Sequence, residues 1–302
     1  MVKDKDLILS ALIKRSFPIW QRLGFHVTPN HFYEPIPDTR RLNDELWSKH
    51  SELVGIEISE KEQIHLLSEF MAKFKDEYEV FPKNKTPIPY QYYINNGSFE
   101  SVDGEILYCM VRNFKPRKIF EIGSGSSTYL SAQAILINRE ENKDYECELT
   151  ATDPYPNSVL KAGFPGLSKL IPENIQNVPI SQFNELKEND ILFIDSSHIL
   201  KIGSDVQYEY LQILPRLNKG VLIHAHDIFL PSEYPREWVC KQYRFYTEQY
   251  LLQAFLSFNS AFEILWMGNY MHLKHPGKLE KAFSSYDRSK VWPGSFWMRK
   301  KE

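Results

Sequence analysis

The sequence predicts an α/β fold: a largely parallel sheet with helices on both faces, preceded by a helical N-terminal cap. Three observations carry this. From about residue 99 onward, short apolar runs of strand length alternate with segments of helical period. The first of those runs, 119–122, breaks into Gly-Ser-Gly-Ser-Ser and then resumes with helix formers, which is how a chain lets a ligand approach its backbone closely. The runs also end on ionisable side chains: Glu121, Asp153, Asp195 followed by His198, and the stretch His224 to Asp227. The carboxyl ends of strands are where open α/β sheets bind their ligands.

The elements follow in order. The opening "MVKDKDLILSALIKRSFPIW" reads as a short amphipathic helix. Lys14 and Arg15 interrupt its apolar patch, which is too short for a membrane span and lacks a signal-peptide cleavage pattern. "HVTPNHFYEPIPDTRRL" is a Pro- and aromatic-rich loop, and "LNDELWSKHSEL" and "EKEQIHLLSEFMAKFKDEY" have helical spacing. Residues 81–98, with three Pro and Asn-Asn-Gly, are the expected linker. This gives a cap and linker over 1–98 and a second domain over 99–302. In the latter, a helix over "SVDGEILYCMVRNF" precedes the strand "KIFEI", the glycine turn and a helix from about 127 to 137. The strands "ELTATDP", "IQNVPI" and "ILFID" come next, then a helix near 205–217 and the strand "GVLIHAHD". A helix near 248–258 and the strands "FEILWM" and "SFWMRK" complete the chain, and the last two strands suit an antiparallel edge.

Bulk properties narrow the function. A chain of 302 residues that is 42% apolar and 25% charged suits a soluble globular protein. Its net charge of -3 gives no pull toward nucleic acid or an anionic membrane. Three widely spaced cysteines, Cys109, Cys147 and Cys240, form neither a disulfide framework nor a metal-type pairing and fit a reducing, cytoplasmic setting.

At the glycine turn, Gly123, Ser124, Gly125 and Ser126 can present backbone amides to a polar ligand, although strand–helix packing alone also uses glycine. Asp153, ending the next strand, has the acceptors a ribose diol needs. A dinucleotide fingerprint requires a third glycine where Thr128 stands. The charge of Glu121 opposes a pyrophosphate and suits a cation, which favours a sulfonium ligand over NAD.

Taken together, "FEIGSGSS", "ATDPYP", "ILFIDSSH" and "LNKGVLIHAHDIF" resemble the successive motifs of class I S-adenosylmethionine-dependent methyltransferases, over roughly residues 99–302. The resemblance implies a Rossmann-like, seven-stranded, mostly parallel sheet with an antiparallel last strand. It implies S-adenosyl-L-methionine as cofactor, with Glu121 and the backbone of Gly123, Ser124, Gly125, Ser126 and Ser127 near its methionine part and Asp153 on its ribose. Asp195 and Ser196 complete the expected cofactor set; Asp103, in the helix before the first strand, either touches the cofactor's polar end or is a solvated helix residue. Metal-dependent O-methyltransferases of the catechol type carry an Asp after the fourth strand, an Asp-Asn or Asp-Asp pair after the fifth, and a Lys base three residues past the first Asp. Here Asp195 takes the first position, His226 and Asp227 the pair, and His198 the base position. Histidine in place of one Asp disfavours Mg²⁺ relative to Mn²⁺, Fe²⁺ or Zn²⁺. Two arrangements stay open: an altered metal site of Asp195, His226 and Asp227, or a metal-free site with His198 or His226 as base.

His224 and His226 share a strand face, so His224 becomes a core residue if that face is covered. The segment "EYPREWVCKQYRFYTEQY" is either an acceptor wall or a packed insertion, and His31, Tyr33 and Asp38 sit on a loop that serves as lid or simple cover. The expected activity is methylation of a small-molecule acceptor, foremost a hydroxyl in natural-product or sugar tailoring, by a chain that can pair as a homodimer. The rivals are a metal-independent N-methyltransferase, an NAD-linked oxidoreductase and a non-catalytic cofactor-binding scaffold.

Overall fold

The computed structural model describes residues 12, 13 and 15–302. The helix expected over 1–20 falls partly on residues outside that set; from 15 to 22 the backbone is helical. The chain forms two compact units, one of residues 1–49 and 235–245, the other of 50–234 and 246–302.

Within the smaller unit the "LNDELWSKHSEL" helix is reduced to Glu45–Ser48. Arg236 pairs with Asp44 at 3.1 Å and lies over the Trp47 ring. His31, Phe32 and Tyr33 pack ring on ring, and Asp38 is paired with Arg40 and Arg41.

The larger unit is built on seven strands: β1 Lys118–Ile122, β2 Glu148–Thr152, β3 Lys169–Ile171, β4 Ile191–Ile194, β5 Leu222–Ala225, β6 Phe262–Met267 and β7 Phe296–Lys300. Their order is β3-β2-β1-β4-β5-β7-β6, parallel except that β7 runs antiparallel to both its neighbours. The order reverses between β1 and β4, which opens a crevice at their carboxyl ends. Strand alternation sends Ile119, Ile191, Phe193 and Leu222 to one apolar layer and Phe120, Ile122, Leu192, Ile194 and Ile223 to the other.

The first layer is covered by α1 (Glu60–Tyr78), α2 (Asp103–Phe114) and α3 (Ser126–Glu141). In α1 a stripe of Leu67, Phe70, Phe74 and Tyr78 is buried, at the three- and four-residue spacing of one helix face. Each such side chain contributes about 1.5–3 kcal/mol. The helix α2 is buried from Asp103 to Arg112 and ends at Lys115 in the left-handed conformation, with Pro116 behind it.

Four expectations are corrected. Residues 175–180 form no strand: Ile175–Asn177 is a 3₁₀ turn and Pro179, which has no N–H to donate, leads into a short helix. The third strand is the earlier triplet Lys169–Ile171, which pairs with β2. The helix over 205–217 is three pieces, Asp205–Tyr208, a wide π turn over Glu209–Ile213 and a 3₁₀ turn over Leu214–Arg216, because Pro215 cannot continue the ladder. Residues 81–98 are folded, with Tyr92 and Ile94 buried and Ile94 donating to Pro82. Helix α4 spans Glu248–Leu256, and α5 (Gly268–Lys274) and α6 (Pro276–Ala282), which the sequence reading did not anticipate, link β6 to β7.

Candidate active site

The glycine turn joins β1 to α3. Gly123 has φ +87°, and a Cβ there would lie 1.9 Å from the carbonyl oxygen of Asp195. This glycine is needed for backbone passage against the exit of β4. At Gly125 the same Cβ would meet nothing within 4 Å, so that glycine borders open space. The N–H of Gly125 donates to Thr128 Oγ1 at 2.9 Å, so the residue at the absent third-glycine position caps the helix. Glu121 is buried beneath the turn; Ser127 Oγ donates to one carboxyl oxygen at 2.5 Å, and the other, Oε2, has no partner. Burial pushes its pKa up to about 8 against the pull of Ser127 and Thr128. Ser124 Oγ donates to Asp153 at 2.8 Å, and Ser126 lies 3.4 Å from Ser98.

Beside the turn, β4 and β5 end in register, so Asp195 and His226 project from the same face as Phe193 and His224. His226 Nδ1 lies 3.3 Å from Asp195 Oδ1 and 3.6 Å from Asp227, and its Nε2 lies 3.6 Å from Asp103. His198 Nε2 lies 3.3 Å from Asp195 Oδ1 and 3.5 Å from Asp227 Oδ2. The backbone turns back sharply here, at φ +59° for His198, +54° for Asp227 and +71° for the β-branched Val102 just before Asp103. Positive φ at several non-glycine residues around one cleft is characteristic of functional sites.

Burial alone would lower both imidazoles, but the carboxylates outweigh it. Asp195 and Glu248 hold His198 well above its ordinary value, and Asp195, Asp227 and Asp103 do the same for His226. In return the two histidines hold Asp195 well below the usual carboxylate range, despite its burial. Asp227 goes the other way, raised by burial. His224 is a core residue. It is fully buried, stacked on Phe193 at 4.0 Å, with Nε2 3.1 Å from Ser295, and burial holds it neutral.

Residues 120–228, which contain the turn and Asp195, His198, His226 and Asp227, match the family described as a methyltransferase domain. An uncharacterised protein of Archaeoglobus fulgidus is 30% identical over 191 residues, covering 61% of this chain and 84% of the relative. The chain belongs to the class I S-adenosylmethionine-dependent methyltransferases. Solved structures similar to it include an O-methyltransferase from Bacillus cereus in complex with SAH (14% identity, 78% of this chain and 91% of that one, TM-score 0.36) and the CmcI-N160 apo-structure (13% identity, 68% and 72%, TM-score 0.36).

For this methyltransferase the cofactor's requirements meet features already described. The orphan buried oxygen of Glu121 is an unpaired polar atom, and Gly125 in the turn above it borders open space. Asp153 also accepts from Tyr155 N at 2.7 Å, which fixes its carboxylate at the end of β2. Ser196 donates to the buried Glu209. Asp103 is tied to the backbone of Gly294 and Ser295 and faces His226, so it stands with the acid–base cluster. Among the described residues no group of three or more His, Cys, Asp and Glu side chains is arranged to hold a metal ion. Asp195, His226 and Asp227 do meet, with His226 Nδ1 3.3 Å from Asp195 and 3.6 Å from Asp227. No helix among the described residues is long and apolar enough to cross a membrane.

Sequence reasoning missed Glu248. Its carboxylate is fully buried, lies 2.9 Å from His198 Nδ1 and accepts from Tyr210 Oη at 2.9 Å. In the sequence it reads only as an acidic residue in the first turn of a helix.

Proposed function

We propose that the protein methylates a hydroxyl of a small-molecule acceptor, with His198 as general base. The observation that carries this reading is the position of His198 Nε2. It is aimed between Asp195 and Asp227 at the carboxyl ends of the strands, beside the turn that borders open space. Glu121, the turn from Gly123 to Ser127 and Asp153 would hold S-adenosylmethionine, which supplies an electrophilic methyl group when bound. The chain's own part is to orient the acceptor and remove its proton. In the ligand-free protein His198 is held protonated by its carboxylates. With His198 and His226 charged, the carboxylates of Asp103, Asp195, Asp227 and Glu248 leave the cluster with an excess of negative charge, which suits an arriving sulfonium cation. A bound sulfonium would offset part of that charge and favour the neutral imidazole; once the Nε2 proton has passed to solvent, Nε2 can take the acceptor's proton.

A divalent ion on Asp195, His226 and Asp227 is a second reading. It is favoured by the two aspartates facing the same two imidazoles at 3.3–3.6 Å, so one cation could replace both imidazolium charges.

Calorimetric titration with S-adenosylmethionine and S-adenosylhomocysteine is the test, followed by a panel of low-molecular-weight sugars, phenols and amines read as S-adenosylhomocysteine release. Binding lost in Asp153→Ala, with release on hydroxyl compounds only, supports the reading. Release on amines only replaces it with the N-methyl alternative, and absence of cofactor binding removes both.

A further inference from the structure

The loop that carries His198 is clamped by the first turn of α4. The carbonyl of His198 accepts from Thr247 N at 2.9 Å and from Glu248 N at 3.1 Å. Thr247 Oγ1 accepts from Leu200 N at 2.7 Å, and the Tyr246 ring lies 4.8 Å from the imidazole. These bonds hold His198 in the left-handed conformation that turns its side chain back toward the strand ends. The side chain is gripped by the same turn: Glu248 Oε2 faces Nδ1 at 2.9 Å, while Oε1 is occupied by the hydroxyl of Tyr210. An ionised carboxylate only accepts, so the proton on Nδ1 is fixed by its partner. Free imidazole has no such constraint.

We infer that Glu248 is a positioning residue for methyl transfer: it holds His198 as the Nδ1–H tautomer, leaving Nε2, which lies 3.3 Å from Asp195 Oδ1 and 3.5 Å from Asp227 Oδ2, as the nitrogen that exchanges a proton with the acceptor, and Tyr210 holds Glu248. The assignment rests on the reading of His198 as base. Glu248 acts only through the imidazole, because its two oxygens are committed to His198 and Tyr210 and its side chain has no exposed surface. A carboxylate that fixes a catalytic imidazole's tautomer can be worth up to about 10⁴-fold in turnover.

The experiment is nitrogen-15 NMR of the full-length protein labelled at histidine, in wild type, Glu248→Ala, Glu248→Gln and Tyr210→Phe. In wild type His198 should lose its Nε2 proton as pH rises while Nδ1 stays protonated. Glu248→Ala should shift the neutral ring toward the Nε2–H form, and Tyr210→Phe should leave the tautomer in place with a weaker Nδ1 hydrogen bond. Glu248→Gln, which keeps the shape and an amide oxygen acceptor, guards against a variant that simply fails to fold. Its backbone spectrum should match wild type while the His198 signals move. A wild-type ring that loses the Nδ1 proton first, or unchanged His198 signals in a folded Glu248 variant, overturns the assignment.

On an acceptor from the panel above, Glu248→Gln should lower kcat by about 10²- to 10⁴-fold with the KM for S-adenosylmethionine unchanged. Adding it to His198→Ala should cause no further loss. Full activity in His198→Ala would sink the base reading while leaving the tautomer result standing, so the two failures are distinguishable.

Discussion

Ser127 Oγ sits 2.5 Å from one carboxyl oxygen of Glu121, and the other oxygen of that buried carboxyl, Oε2, is left without a hydrogen bond of ordinary geometry. A carboxyl satisfied on one side only is stable in the empty protein when protonated, and it is raised to about 8, from an ordinary value of 4.5.

The sign of the pH effect follows. Between these two values the folded state binds more protons than the unfolded one, so this group's stabilisation is complete below 4.5 and is lost as pH rises through about 8. The slope from one group is at most about 1.4 kcal/mol per pH unit. Denaturant unfolding between pH 5 and 8, compared with Glu121→Gln, should show a wild-type slope that the variant lacks. Cofactor affinity should move oppositely. If Glu121 faces a cationic part of S-adenosylmethionine, wild-type affinity rises with pH toward the pKa and that of Glu121→Gln is flat. Parallel wild-type and variant profiles would remove Glu121 from the cofactor site.

The two glycines of the turn should separate cleanly. Gly123→Ala drives a methyl group against the Asp195 carbonyl at φ +87° and should destabilise by about 2 kcal/mol or more, seen as a lowered Tm. Gly125 has extended backbone, φ 171°, and empty space around it. Gly125→Ala should therefore keep Tm nearly unchanged and weaken S-adenosylmethionine binding at least about tenfold, or 1.4 kcal/mol. Unchanged binding would place the cofactor elsewhere.

His224 and His226 stand two residues apart on one face, yet they should respond differently. His224→Phe keeps a ring against Phe193 and Trp297 and loses one bond to Ser295. It should change stability by no more than about 1.5 kcal/mol, with transfer intact. His226→Ala removes the imidazole that Asp103, Asp195 and Asp227 share and leaves only His198 facing Asp195 and Asp227. It should abolish transfer and make the site a better cation trap. Thermal unfolding and S-adenosylhomocysteine release read both.

Much of this was legible in the chain. The sheet's strand types followed from alternation, and the strand ends marked most of the cleft, because a parallel sheet gathers its carboxyl ends on one edge. What was lost depended on distance or on short elements. Glu248 lies 50 residues from His198 in the chain, so no local spacing announces the contact. Strand β3 is three residues long and below any periodicity window, whereas 175–180 alternates like a strand until Pro179 removes the donor a ladder needs. Residues 81–98 carry linker punctuation, yet Tyr92 and Ile94 are drawn into the apolar layer beneath α1 and α2. Composition registers flexibility in the unfolded chain and says nothing of what a neighbouring surface will bury.

Metal removal is the last discriminating case. Two imidazolium groups already neutralise part of the negative charge that a divalent ion would otherwise offset. Methyl transfer should therefore survive dialysis against EDTA, and S-adenosylmethionine affinity should be the same before and after. The two His side chains and a metal would compete for the same carboxylate oxygens, so added Mn²⁺ should bind more tightly as pH rises and the histidines deprotonate. Calorimetric titration with Mn²⁺ at two pH values measures this directly. Transfer that is lost in EDTA and restored by Mn²⁺ in wild type, but not in Asp227→Ala, would replace the metal-free reading with a cation held by Asp195, His226 and Asp227. In that event the bound ion, by lowering the acceptor hydroxyl's pKa, would take over much of the work here assigned to His198.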